Sequence, residues 1–161
     1  MNERAQQLID LLQLTPHPEG GYFKETFRSE NTVKSPKTGH SRSAVTEIYF
    51  LLTKGQKSRL HRVLHDELWH FFEGAPLRLL HVQADSRESH IITLGDETDT
   101  PVYQYCIKGG NWQAAVSTGE YSLMGCTVAP GFDFKDFIFL SDDTEACDRV
   151  LDMYPDLINW V

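Results

Sequence analysis

The chain has 161 residues, a net charge of -8 from 15 Lys and Arg against 23 Asp and Glu, and 40% hydrophobic residues. That length suits a single domain over residues 1–161 with its own core, and the composition is that of an ordinary globular protein. The acidic balance argues against nucleic acid as a partner, which needs a basic face, and no apolar run approaches the ~20 residues of a membrane span.

Cys106, Cys126 and Cys147 are odd in number and far apart, so neither a disulfide framework nor a zinc knuckle is expected. The start, Met1-Asn2-Glu3-Arg4, leads into a polar helix rather than the apolar core of a signal peptide, which points to a reducing cytoplasm. Residues 4–14 set Ala5, Leu8, Ile9 and Leu12 on one helical face, and Thr15-Pro16-His17-Pro18 ends that helix because proline disfavours it at the preceding residue. Gly20-Gly21 turns the chain into a strand at Tyr22–Phe27. Residues 28–42 are polar, carry Pro36 and Gly39, and predict a long loop or hairpin tip.

Strands and turns alternate from there. Strands are predicted at Val45–Leu52, His61–Val63, Leu68–Phe72, Leu77–Val82, Ser89–Leu94, Val102–Ile107, Trp112–Val116, Ser122–Val128 and Phe137–Leu140, many separated by Gly or Pro. This cadence argues for an all-β sandwich or barrel. Asp142-Asp143-Thr144-Glu145 resembles a capping box opening a helix from about Asp143 to Met153, which Pro155 ends.

Period-two alternation places Glu67, Trp69 and Phe71 on one strand face, and His61 and Val63 share a face on the segment before. If the turn at Leu64-His65-Asp66 pairs these strands, His61, Val63 and Glu67 converge. An imidazole and a carboxylate beside aromatic rings have the make-up of a small-molecule site. Gly131-Phe132-Asp133-Phe134 offers rings to stack on a ligand and Asp133 to meet its hydroxyls. His17-Pro18-Glu19-Gly20-Gly21 is more elaborate than a turn needs and would fold over the pocket mouth with Tyr22 reaching in. Arg28 and Arg42 flank the polar loop and would receive an anionic group if it folds back.

The residues also carry a resemblance. Gly55, His61, Val63, Glu67 and Gly74 fall at the spacing of the first cupin signature, with Val63 where metal-binding cupins have a second histidine. Gly110 and Gln113 fall on the second signature, with Gln113 in place of its histidine and Lys108 where a proline is usual. With His17-Pro18-Glu19-Gly20-Gly21-Tyr22-Phe23, Ile48-Tyr49-Phe50-Leu51-Leu52, Asp66-Glu67-Leu68-Trp69-His70 and Gly125-Cys126-Thr127-Val128-Ala129-Pro130-Gly131, the chain resembles the cupin_5 (domain of unknown function 985) family of RmlC-like cupins over nearly its whole length. The resemblance implies a double-stranded β-helix, or jelly roll, with short N- and C-terminal helices, a homodimer, and the lost ligands as a family trait.

The resulting expectation is a pocket for a small polar ligand, sugar- or nucleotide-like, in a metal-independent epimerase or isomerase. His61 would be the base, and Glu67 would orient it or raise its pKa. Tyr22, Trp69, Phe71, Gln113, Phe132 and Asp133 would contact the ligand. Inversion of a stereocentre would need an acid on the opposite face, from Tyr22, Tyr49 or Asp133. No metal is expected. One alternative is the same pocket binding without turnover; another is a metal-dependent isomerase or oxygenase with a divalent cation at His61, Glu67 and Gln113.

Overall fold

The structure, a computed structural model, describes residues 1–84, 88–96 and 99–161. Helix α1 (Glu3–Leu12) begins where Asn2 accepts hydrogen bonds from the Arg4 and Ala5 backbone N–H groups, and it ends at Gln13 in the left-handed conformation. Ala5 and Leu8 form its buried face, as the periodicity predicts. The strands that follow are β1 (Thr15–Pro16), β2 (Tyr22–Arg28), β3 (Thr32–Lys34), β4 (Ser41–Ser43), β5 (Thr46–Thr53), β6 (Lys57–Val63) and β7 (Asp66–Gly74). After them come β8 (Leu77–Val82), β9 (Ser89–Leu94), β10 (Gln104–Ile107), β11 (Trp112–Ser117), β12 (Tyr121–Ala129) and β13 (Phe137–Phe139). Helix α2 (Thr144–Met153) is capped by the Asp143 side chain, which accepts from the Ala146 N–H.

Two sheets face each other. One runs in the order β1-β2-β5-β12-β7-β10 and the other β13-β6-β11-β8-β9. All described pairings between strands are antiparallel, including a separate hairpin of β3 and β4. This is the double-stranded β-helix that the resemblance implies, and the polar stretch after β2 is the hairpin.

Alternation along each strand divides the apolar residues among three layers. Phe50, Leu52, Trp69, Leu77, Leu79 and Met124 pack between the sheets. Leu60, Leu80, Val82 and Trp112 point outward from the five-stranded sheet and are covered by Ala146 and Val150 of α2. Leu51 and Leu123 point outward from the six-stranded sheet and meet Leu8 of α1.

β6 and β7 are not a paired hairpin. β6 bonds to β11 and β13, whereas β7 bonds to β12 and β10. The short turn between them carries the chain from one sheet to the other, so their inward residues face each other across the interior. At the Lys108 position the turn forms without the usual proline. Lys108 Nζ lies 3.2 Å from Asp66 Oδ2, the Gly109 N–H donates to Asp66 Oδ1, and Gly110 takes a φ of 95°. No helix among the described residues is long and apolar enough to cross a membrane.

Candidate active site

A cavity of about 320 Å³ opens between the sheets, where β6 hands over to β7. Its buried end is polar. β6 brings His61 and Val63, β7 brings Glu67, and the loop between β1 and β2 brings His17 and Glu19. His61, Glu19 and Glu67 are 1%, 6% and 7% exposed, so the contacts among them decide their charge.

His61 has a defined tautomer. Its Nδ1 lies 2.7 Å from the Arg59 carbonyl oxygen, which only accepts, so Nδ1 carries the proton of the neutral ring and Nε2 keeps its lone pair. Nε2 is 3.1 Å from Gln113 Nε2 and 3.2 Å from Glu19 Oε2. Gln113 is fixed in turn by Trp69, whose indole N–H donates to Gln113 Oε1 at 3.1 Å. An indole N–H cannot accept, so the amide oxygen must face Trp69 and the NH₂ must face the cavity floor. One of its hydrogens goes to Glu67 Oε2 at 2.5 Å and the other points at His61 Nε2. Glu67 therefore reaches His61 through the amide, and the carboxylate in direct contact with His61 is Glu19.

Glu19 is held by Ser58, whose hydroxyl donates to Oε1 at 2.9 Å. Its loop lies hard against the strands because two glycines allow it. Gly20 has a φ of +114°, and a Cβ there would sit 2.0 Å from the Lys57 carbonyl oxygen. Gly21 has a φ of +74°, and its Cβ would sit 2.6 Å from the Leu51 oxygen. Only glycine permits both the conformation and the approach.

Burial controls the titration of all four groups. It pushes the Glu67 carboxyl from an ordinary 4.5 up to about 7, with His61 opposing, Glu19 adding and the Gln113 hydrogen bond opposing. It also raises Glu19, against the opposing pull of His17, Ser58 and Arg59. His61 and His17 are both lowered by burial, against Glu67 for the first and Glu19 for the second. The floor near neutral pH thus combines neutral imidazoles with carboxyls that hold protons unusually well.

The walls are aromatic. The His61 ring stacks on Phe137 at 5.1 Å with 24° between planes, and Phe132 meets Phe134 edge-on at 5.0 Å. Glu25, Arg28 and Asp133 add polar groups, and Phe134, 56% exposed, marks the rim.

The structure brings together His61, Glu67, Gln113, Phe132 and Asp133. Gln113 stands directly opposite His61 in the β11–β6 register. It does not bring in three others. Tyr22 pairs with Leu51 in the β2–β5 register and packs with it toward α1, as does Tyr49; alternation sends Phe23 into the cavity instead. Trp69 lies below the floor, 1% exposed, and supports Gln113. Phe71, a further alternate step along β7, packs against the core between the sheets. Nor are the arginines free for an anion. Arg28 grips both oxygens of Glu25 at 2.9 and 2.7 Å, and Arg42 grips both of Asp136 at 2.7 and 2.8 Å. Glu19 and His17 are site residues that local reading missed; the only signal was the excess of motif around them.

The donor set does not fit a resident metal at His61, Glu67 and Gln113. The amide oxygen is committed to Trp69, and the amide NH₂, a donor, occupies the point between His61 Nε2 and Glu67 Oε2. Val63 supplies hydrocarbon to the same cavity. Among the described residues no three His, Cys, Asp or Glu side chains are grouped to hold a metal ion.

A cavity at the buried floor of a double-stranded β-helix, with an imidazole and a carboxylate at signature spacing, defines a cupin. The family described as Cupin superfamily (DUF985) matches residues 6–140, and the chain belongs to it. It is 33% identical over 155 residues to the uncharacterised protein YML079W of Saccharomyces cerevisiae, covering 87% of this chain and 77% of that one. Among solved structures, a hypothetical protein from Leishmania major superimposes with a TM-score of 0.80 at 32% identity, over 94% of this chain and 93% of that one. Protein SO0799 from Shewanella oneidensis gives 0.78 at 31% identity, over 94% and 90%. Oxalate decarboxylase from Bacillus subtilis shares the fold at 18% identity, with a TM-score of 0.58 over 79% of this chain and 30% of that one.

Proposed function

We propose that the cavity is the active site of a metal-independent isomerase or epimerase that moves a proton on a small polar ligand of sugar-ring or nucleobase size. The observation that carries this reading is the 3.2 Å contact between His61 Nε2 and Glu19 Oε2 at the buried end of the cavity. A neutral imidazole with its lone pair inward stands next to a carboxyl whose hold on its proton is strengthened by burial.

In the reaction this supports, Nε2 takes a proton from a carbon beside a ligand carbonyl; the C–H bonding pair forms a C=C bond and the carbonyl π pair moves onto oxygen to give an enolate. Protonated Glu19 returns a proton to the enolate. The imidazolium then passes its proton to the Glu19 carboxylate across their contact, which restores both groups. Gln113 and Trp69 keep the floor in register through these steps. Of the three side chains considered for the opposite face, Asp133 alone lines the cavity.

The test is deuterium wash-in. Carbonyl sugars and nucleoside-like compounds are incubated in D₂O with the protein, and exchange at the carbon beside the carbonyl is followed by NMR. The expected result is exchange that falls by ~10²–10⁴ in His61→Ala and substantially in Glu19→Gln. Ligands that bind without exchange would make this a binding protein, and exchange that survives in His61→Ala would remove the histidine from the mechanism.

Homodimerisation is part of the same reading. The outer face of the six-stranded sheet beyond α1 carries Phe27 and Phe72, 54% and 50% exposed. The Phe72 ring lies over Gly125, where a Cβ would come within 2.6 Å of Cζ. A second copy of the chain placed against this face would remove those rings from water.

A further inference from the structure

Charge around the cavity does not balance. Arg28 is the one Lys or Arg among the described lining residues. Its Nε and one terminal nitrogen are spent on Glu25, and the other terminal nitrogen donates to the Phe132 carbonyl oxygen at 3.1 Å. Arg42 is bound to Asp136 and reaches Asp133 only at 3.9 Å. Among the described residues Glu19 and Glu67 have no Lys or Arg within ion-pair distance; Glu19 meets the imidazoles of His17 and His61, with Arg59 acting on it from farther off. Glu67 is 7% exposed, lines the cavity, and has one hydrogen bond, from Gln113 to Oε2. Its Oε1 has no partner among the described residues. A buried carboxylate is ordinarily paired with a cation, because leaving the charge unpaired costs several kcal/mol.

The walls favour the same kind of guest. Phe132, Phe134 and Phe137 meet one another edge-on, at 5.0, 6.1 and 6.3 Å between centroids. The face of a phenyl ring attracts a cation and its edge repels one, so ring faces beside the cavity carboxylates favour a positively charged guest over an anion. A phosphate or carboxylate entering here would find no free guanidinium or ammonium among the described lining residues and would face Glu25, Asp133 and Glu67.

We propose that the ligand carries a positive charge: a ring-sized organic amine or amidine whose cationic nitrogen meets Glu67 Oε1, with its ring against Phe132, Phe134 and Phe137. This rests on the active-site reading above and narrows its ligand, turning away phosphate-bearing compounds. Glu67 then serves as the counter-ion of the ligand, while His61 and Glu19 handle the proton.

Three probes of nearly equal size and different charge test this: benzylamine, benzyl alcohol and benzoate, titrated at about pH 8 by calorimetry and ligand-observed NMR. The expected order is benzylamine first, at least about tenfold tighter than benzyl alcohol, with benzoate weakest. In Glu67→Gln, benzylamine should fall to the level of benzyl alcohol. Benzoate binding as well as benzylamine, equal binding of the amine and the alcohol, or no binding by any probe overturns the proposal, and the wild-type order decides it even if the variant does not fold. Binding is read without turnover. A failure here therefore leaves the deuterium result standing, and a failure of that experiment leaves this order standing.

Discussion

Burial shifts Glu67 and His61 in opposite directions, and each shift ties stability to pH in a different window. In the unfolded chain the Glu67 carboxyl titrates near 4.5, whereas in the fold it holds its proton up to about 7. Between those values the unfolded chain releases a proton that the folded protein keeps, so stability falls as pH rises through this range and levels off above it. Glu67→Gln removes that loss. Urea unfolding should show the variant gaining on the wild type by ~1–3 kcal/mol on going from about pH 4.5 to pH 8; an offset independent of pH would mean that Glu67 is not held protonated. His61 works the other way. Its pKa is lowered from 6.5, so its contribution is present above that value and is lost as pH falls and the unfolded chain takes up the proton. Trp69→Phe removes the donor that fixes the Gln113 amide. It should cost ~1–2 kcal/mol and move the His61 ring resonances in NMR spectra; unchanged resonances would show that the indole does not set the amide.

Among the connecting elements, the β1–β2 loop does most to build the site. It carries His17 and Glu19 inward and is pressed on β5 and β6 through Gly20 and Gly21. Gly20→Ala should cost ~2–4 kcal/mol, since it adds a positive-φ penalty to a backbone clash, and should suppress any proton exchange by displacing Glu19. Gly55 makes a useful contrast: its φ is +82° but a Cβ there would meet nothing within 4 Å. Gly55→Ala should therefore cost only ~1 kcal/mol, measured in the same thermal or urea unfolding series. Beside the pocket, Ser35 Oγ lies 2.7 Å from His65 Nε2, while Asp136 is bound by Arg42. These contacts tie the β3–β4 hairpin to the turn after β6 and to the segment before β13, which supplies the aromatic wall.

The whole molecule is a pair of sheets with a helix on each outer face. α2 covers the five-stranded sheet, but α1 covers only one end of the six-stranded sheet. The remainder shows Phe27 and Phe72 beside a polar row in which His70 Nε2 lies 3.0 Å from Thr127 Oγ1. Light scattering at micromolar concentration should give the mass of two chains, and Phe72→Glu should shift it toward one. A monomeric wild type, or a dimer indifferent to the substitution, would place the interface elsewhere or remove it.

The sequence by itself determined the strand cadence, both terminal helices and the inward faces of β6 and β7, because period-two and period-3.6 patterns are local consequences of backbone geometry. Spacing also placed His61, Val63, Glu67 and Gln113 in one pocket. Tertiary structure alone decided who touches whom. β6 and β7 separate into different sheets, so Glu67 meets His61 through Gln113 rather than across a hairpin. The β2 register turns Tyr22 toward α1 and Phe23 into the cavity, and the glycine loop delivers Glu19 to His61. Such contacts join segments far apart in the chain, and their distances depend on sheet pairing and loop path, which no local pattern encodes.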